Sequence, residues 1–189
     1  MRVLTVNVGS SNVKLRVLDE ADRELWTRTF DVGDHSAHPD AVKAFLVGAP
    51  EVDAVGHRLV HGGPRFRDST LATDEVIAEL RALGGLAPLH NEASLNLLKA
   101  AREALPDLPH VVCFDTSFHR TLPEEAAVYP VPRHWTEAGM RRYGFHGLSF
   151  AHAGGRAAEI LGQAIEKLRL ASAISARALR SPPSRVGSP

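Results

Sequence analysis

Five clusters of polar side chains, four of them with glycine or proline, occur in this sequence, and each has residue types suited to handling anions. The first, Asn7-x-Gly9-Ser10-Ser11-Asn12-x-Lys14, joins a turn rich in backbone N–H groups and hydroxyls to an ammonium group. Glycine and serine let the backbone approach phosphate oxygens closely, and the lysine offsets their charge. A tight hairpin turn needs the same residues for structural reasons alone. The Walker spacing is absent and strand-like sequence follows where a helix would have to start, so a P-loop is excluded. The second cluster, His57-Arg58-Leu59-Val60-His61-Gly62-Gly63-Pro64, sets a guanidinium between two imidazoles. Arg58 there can grip a small carboxylate through two parallel N–H bonds and later stabilise charge on a transferring phosphoryl group. The plain alternative is a surface arginine flanked by two satisfied histidines.

Pro88-Leu89-His90-Asn91 falls at a helix entrance, where His90 can donate to a phosphate. Phe114-Asp115-Thr116-Ser117-Phe118-His119 falls at a strand exit, the place where open α/β sheets present catalytic side chains. Asp115 can orient a metal or position a nucleophile, or serve only as a turn residue. In Arg142-Tyr143-Gly144-Phe145-His146-Gly147-x-Ser149 the glycines fold the backbone tightly. His146 can then face a cleft and hydrogen-bond a phosphoryl oxygen, with Phe145 lining an apolar pocket; alternatively the segment is a helix-entry turn packed by Phe145. Ten histidines raise the question of zinc. No predicted helix carries an H-x-x-x-H pair, which disfavours it.

The elements that must position these clusters are legible as changes of hydrophobic period. Val3–Val8, Val13–Leu18 and Glu24–Phe30 read as three consecutive strands separated by polar turns, an antiparallel meander. Asp40 is expected to cap a short helix running through Val47, and Val52–Arg58 reads as a buried strand. Thr73 should cap a helix over Asp74–Leu83 that stops at Gly84-Gly85. Asn91 should cap another over Glu92–Leu105 that stops before Pro106. A strand is expected at His110–Phe114 and a final helix at Ser149–Leu161, ending at Gly162. The order predicts an α/β domain with a mixed sheet, antiparallel at its start, and flanking helices.

The 22 basic and 22 acidic residues balance, which gives no general attraction to nucleic acid or an anionic membrane. No stretch approaches the length of a membrane span or a signal-peptide core. Cys113 stands alone within Val111-Val112-Cys113-Phe114, as expected of a reduced, buried strand residue. These features read as a soluble cytoplasmic protein. From Leu168 to Pro189 the sequence lacks acidic residues and turns rich in Ser, Pro and Ala, the composition of a tail. The expected division is therefore a folded domain over 1–162 and an aberrant, disordered tail over 163–189.

Taken together, N-x-G-S-S-x-x-K, G-H-R-x-V-H-G-G, A-P-L-H-N, F-D-T-x-F-H and Y-G-F-H-G-x-S occur in the order and spacing of the acetate kinase family, which this sequence resembles over about Met1–Gly162. The resemblance implies a ribonuclease H-like, actin-like ATPase domain of the sugar kinase/Hsp70/actin superfamily, with the second domain missing. It implies transfer of a phosphoryl group from ATP to acetate, with Mg²⁺ or Mn²⁺, in a family whose full-length members form homodimers. By resemblance Asn7 lies at the metal, and Ser10, Asn12, Lys14 and His90 lie at the phosphates. Arg58 holds the acetate carboxylate, and Val60, Leu89 and Phe145 form a pocket for its methyl group. Asp115 positions the arginine or a metal, and His146 stabilises the transition state. Asn12 stands where serine is common. The family's His-Leu-Gly-Asn-Gly loop, second arginine and metal-binding glutamate do not follow Gly162, so weak activity is expected of this chain. A propionate or butyrate kinase and a non-catalytic remnant that binds a carboxylate or phosphate are the competing readings.

Overall fold

Alternation of apolar and polar residues puts one face of the opening strands in a core. Leu4, Val6 and Val8 of β1 (Val3–Val8) and Val13, Leu15 and Val17 of β2 (Asn12–Leu18) are buried, while Lys14 and Arg16 are exposed. The computed structural model describes residues 1–9, 12–31, 38–83 and 88–173, with the backbone alone at 39 and 88–90. β1 and β2 pair antiparallel from Val3↔Leu18 to Val8↔Val13, and β3 (Glu24–Asp31) adds to β2, which is the expected meander. After α1 (Pro39–Phe45), β4 (Ala54–Leu59) returns parallel to β1. A two-residue β5 (Thr70–Leu71), α2 (Asp74–Ala82) and α3 (Pro88–Ala104) precede β6 (His110–Phe114), which lies parallel to β4. The sheet order is β3-β2-β1-β4-β6-β5. A 3-10 turn over Asp115–Thr121, α4 (Glu124–Ala127) and α5 (Arg133–Glu137) lead to α6 (Gly147–Leu161).

The inward sheet face packs against α1 and α3 through Val42, Leu97, Ala100 and Ala101. A second cluster gathers Leu59, Phe114, Phe66, Ile77, Leu80 and Leu98 at the β4–β6 side. Edge strand β3 is tied to α1 by stacking of Phe30 on Phe45 and by Arg28, which donates to the carbonyls of Ala44 and Phe45 at 3.2 and 3.0 Å. This satisfies acceptors that a helix end leaves open.

Helix starts differ from expectation in α1, α3 and α6, the last beginning at Gly147 rather than Ser149, and α1 stops at Phe45 rather than Val47. The Oγ1 of Thr73 accepts from Val76 N–H at 3.3 Å, the predicted cap. α1, however, is capped by His38, whose Nδ1 accepts from the N–H of Asp40, because Pro39 at the first helical position moves the start two residues earlier. Asn91 is no cap either: α3 begins at Pro88 and the Asn91 side chain binds the β4 exit instead.

The described residues form two units, Met1–Ser149 and one beginning at Phe150. In the second, α6 ends at Gly162 (φ 61°), a left-handed residue suited to glycine. A short 3-10 turn, Ile165–Lys167, follows. No described helix is long and apolar enough to cross a membrane.

Candidate functional site

Because β1, β4 and β6 are parallel, their carboxyl ends share one sheet edge, and Asn7, Arg58 and Asp115 are carried to it together. Register places Lys14, Asn7, Arg58 and Cys113 in one row across β2, β1, β4 and β6, on the face opposite the core. Arg58 donates from Nε to Asp115 Oδ1 at 3.3 Å and from Nη2 to Asp115 Oδ2 at 2.5 Å, a two-pronged ion pair. Its Nη1 donates to Asn7 Oδ1 at 3.3 Å. A guanidinium has five N–H donors; the described residues take three, so among them one on each terminal nitrogen is left for an incoming anion. The Asp115 side chain is 2% exposed and that of Arg58 is 25% exposed. The carboxylate thus acts from within the protein, and the arginine reaches out.

Two glycine approaches hold the neighbouring segments in place. A Cβ on Gly147 would lie 1.9 Å from the Asp115 carbonyl oxygen, so only glycine lets the chain entering α6 lie against the β6 exit. A Cβ on Gly144 (φ 76°) would meet the His119 ring at 2.3 Å. His119 Nε2 donates to the Phe145 carbonyl at 3.0 Å, pinning the same stretch. Between these contacts His146 adopts φ 56°, a left-handed conformation rare for residues with a side chain, and its side chain is exposed. Phe145 is exposed and edges toward His61 at a ring-centroid distance of 6.2 Å.

His61 is buried and fixed on several sides. Its Nδ1 accepts from Gly63 N–H at 2.7 Å, and its ring meets Tyr143 edge-on at 4.4 Å. The Asn91 side chain bonds both its backbone groups, accepting from the N–H at 3.4 Å and donating to the carbonyl at 3.0 Å. Burial pushes its imidazole below the ordinary 6.5, so it serves here as a neutral wall. His57, four residues earlier, points into the core. His110 Nε2 donates to the Leu105 carbonyl at 3.1 Å, so its Nδ1 must accept from His57 Nε2 at 2.9 Å. His57 Nδ1 is then buried without a partner, and desolvation, followed by the nearness of His110, pushes its pKa down to about 3. It is a core histidine.

The structure therefore brings together Asn7, Arg58 and Asp115, with Lys14 in register beside Asn7 and Val60 half-buried just beyond Arg58. Asn12 closes the β1–β2 turn by accepting from Gly9 N–H at 2.7 Å through its carbonyl. Ser10 and the side chains of Leu89 and His90 lie outside the described residues. The expected metal role of Asn7 finds no support in the donors present: its Oδ1 and both Asp115 oxygens face the Arg58 cation. Among the described residues no three His, Cys, Asp or Glu side chains converge as a metal site. The wall made by His61, Tyr143 and Asn91 was missed from sequence. Asn91 beside Pro88-Leu89-His90 had carried the signal of a helix cap.

A profile described as the acetokinase family matches residues 43–174. An acetate kinase of Halalkalibacterium halodurans is 39% identical over 203 residues, covering 89% of this chain and 51% of that protein. A propionate kinase of Citrobacter rodentium is 37% identical, covering 90% and 50%. Among solved structures, the acetate kinase of Porphyromonas gingivalis superposes with a TM-score of 0.74 at 35% identity, covering 89% of this chain and 51% of that one. A propionate kinase of Francisella tularensis gives the same score at 31% identity, covering 86% and 49%. The mixed six-stranded sheet with flanking helices is thus the fold of these kinases. The chain spans about half the length of the curated relatives it matches. By sequence profile, identity and fold alike, this chain belongs to the acetokinase family.

Proposed function

We propose that this chain supplies the carboxylate-holding side of an ATP-dependent carboxylate kinase whose acceptor is acetate or a similarly short acid. The observation that carries the reading is the Arg58 guanidinium, held by Asp115 and Asn7 with two N–H groups still to offer at the carboxyl edge of the sheet. Asp115 holds the arginine from the buried side and already balances its single charge, so the cation that offsets a carboxylate received there is Lys14, in the same cross-strand row. Phe145 and Val60 give the acid's short tail an apolar neighbour.

In such a transfer a carboxylate oxygen forms a bond to the γ-phosphorus of ATP while the bond to the ADP oxygen breaks, yielding acyl phosphate and ADP. The carboxylate is already ionised and needs no general base, so positioning and charge neutralisation supply the catalysis. Arg58 orients the attacking group, and His146, exposed and in a left-handed backbone conformation, is assigned to donate to a phosphoryl oxygen. Lys14, exposed in the Asn7 row, adds positive charge toward the phosphates. The family implies a divalent cation with ATP. The oxygens of Asn7 and Asp115 do not fit that ion while they hold Arg58, so these residues are assigned to the acid. The names of the relatives include both acetate and propionate kinases, and both fit this geometry.

Calorimetric titration with acetate, propionate and butyrate tests the reading. Saturable binding that weakens with chain length and vanishes in Arg58→Met is expected. Equal binding by Arg58→Met would overturn it.

A further inference from the structure

The whole chain is electrically balanced, yet one cleft in the first unit collects four guanidinium groups. Arg67, Arg120, Arg141 and Arg142 line it with His119 and Thr116, and none of its described lining residues is an aspartate or glutamate. The arginines come from three separate segments: the loop after β4, the 3-10 turn after β6 and the loop before α6. Like charges brought together from distant parts of a chain repel one another unless an anion sits among them.

Three of the four are held in position. Arg67 Nη2 donates to the carbonyl of Arg120. Arg142 Nη1 donates to the Ala126 carbonyl at 2.5 Å, and its guanidinium lies 5.2 Å from the centre of the Tyr129 ring. Arg120 pairs with Asp68 at 3.3 Å, an exposed carboxylate that offsets one charge. Arg141 is exposed and makes no hydrogen bond or ion pair among the described residues. Backbone carbonyls aim these groups without neutralising them, leaving about three cationic forks unmatched.

We propose that this cleft binds a phosphate-bearing anion, at a site distinct from the Arg58 carboxylate site. A monocarboxylate would leave most of that charge unbalanced, whereas a pyrophosphate group, with several oxygens and more than two negative charges, suits several planar forks at once. The shared chemistry covers free pyrophosphate and the diphosphate tail of a nucleotide. Arg58 does not line the cleft, so the inference stands independently of the proposed kinase reading.

The test is a calorimetric titration of the intact chain with pyrophosphate and, separately, ADP at fixed ionic strength. Saturable pyrophosphate binding is expected, weakened about tenfold or more in Arg67→Gln and in Arg141→Gln. Arg141→Gln removes no hydrogen bond or ion pair among the described residues, so it remains informative if Arg67→Gln folds poorly. Arg133→Gln, whose described ion pair is with Glu137, should bind as the parent does. ADP binding that depends on Arg141 would identify a nucleotide tail as one source, and pyrophosphate binding alone would identify the free anion. No saturable pyrophosphate binding, or binding indifferent to both Arg67 and Arg141, would each overturn the proposal.

Discussion

Removing either member of the Arg58–Asp115 pair should destabilise the chain, but by unequal amounts, because the two side chains are unequally buried. In Arg58→Met the Asp115 carboxylate, 2% exposed, loses two charged donors and keeps its desolvation cost. At an effective dielectric constant near 20, a charge pair about 4 Å apart is worth about 4 kcal/mol, and stranding a buried partner typically costs about 3–5 kcal/mol. In Asp115→Asn the guanidinium keeps an amide oxygen for one donor, keeps Asn7 for another, and is 25% exposed to water. That loss should be about 1–3 kcal/mol. Urea denaturation at pH 7 should therefore rank Arg58→Met as the less stable variant by about 1–2 kcal/mol. If Asp115→Asn is the more damaging change, the assignment of Asp115 as a buried anchor for Arg58 fails.

Three further outcomes follow from the geometry. Gly147→Ala puts a methyl group 1.9 Å from the Asp115 carbonyl oxygen; a loss of about 1–3 kcal/mol is expected in urea denaturation, together with weakened acetate binding. Asn91→Leu leaves the buried N–H and carbonyl of His61 unpaired and should cost about 1–3 kcal/mol, with wild-type stability arguing against the clamp. For the buried histidines, folding lowers the affinity for protons from the ordinary 6.5, to about 3 for His57. Between those values the unfolded chain binds protons that the folded chain does not, so stability falls as pH drops below about 6.5, by up to about 1.4 kcal/mol per unit for His57. Urea midpoints at pH 7, 6 and 5 should show this slope and a shallower one in His57→Leu; parallel profiles would contradict it.

How far the sequence revealed all this depends on how local each signal is. β6 was read at its observed limits because a five-residue apolar run, His110–Phe114, is bounded by Pro109 and Asp115. The meander followed from strict alternation in β1 and β2. Two-residue β5 carries too little pattern to announce itself, and it exists only because β6 offers a partner. Asn91 had the chemistry of a cap, but its side chain found a better-satisfied position against His61, a tertiary bond no local rule contains. Arg58 and Asp115 were each legible as candidates. Their pairing required knowing that β4 and β6 are parallel neighbours, which topology decides. The four-arginine cleft was invisible for the same reason: Arg67, Arg120 and the Arg141-Arg142 pair lie far apart in the sequence, and only the fold brings them together.

The central claim is that Arg58, clamped by Asp115 and Asn7, receives the carboxylate of a short acid. Nitrogen-detected NMR of the arginine guanidinium groups during an acetate titration at constant ionic strength tests it most directly. The Arg58 Nε resonance should shift and saturate with acetate, and the signals of Arg67 and Arg141 should stay in place. Acetate that leaves Arg58 unmoved, or that shifts only the arginines of the other cleft, would contradict the account.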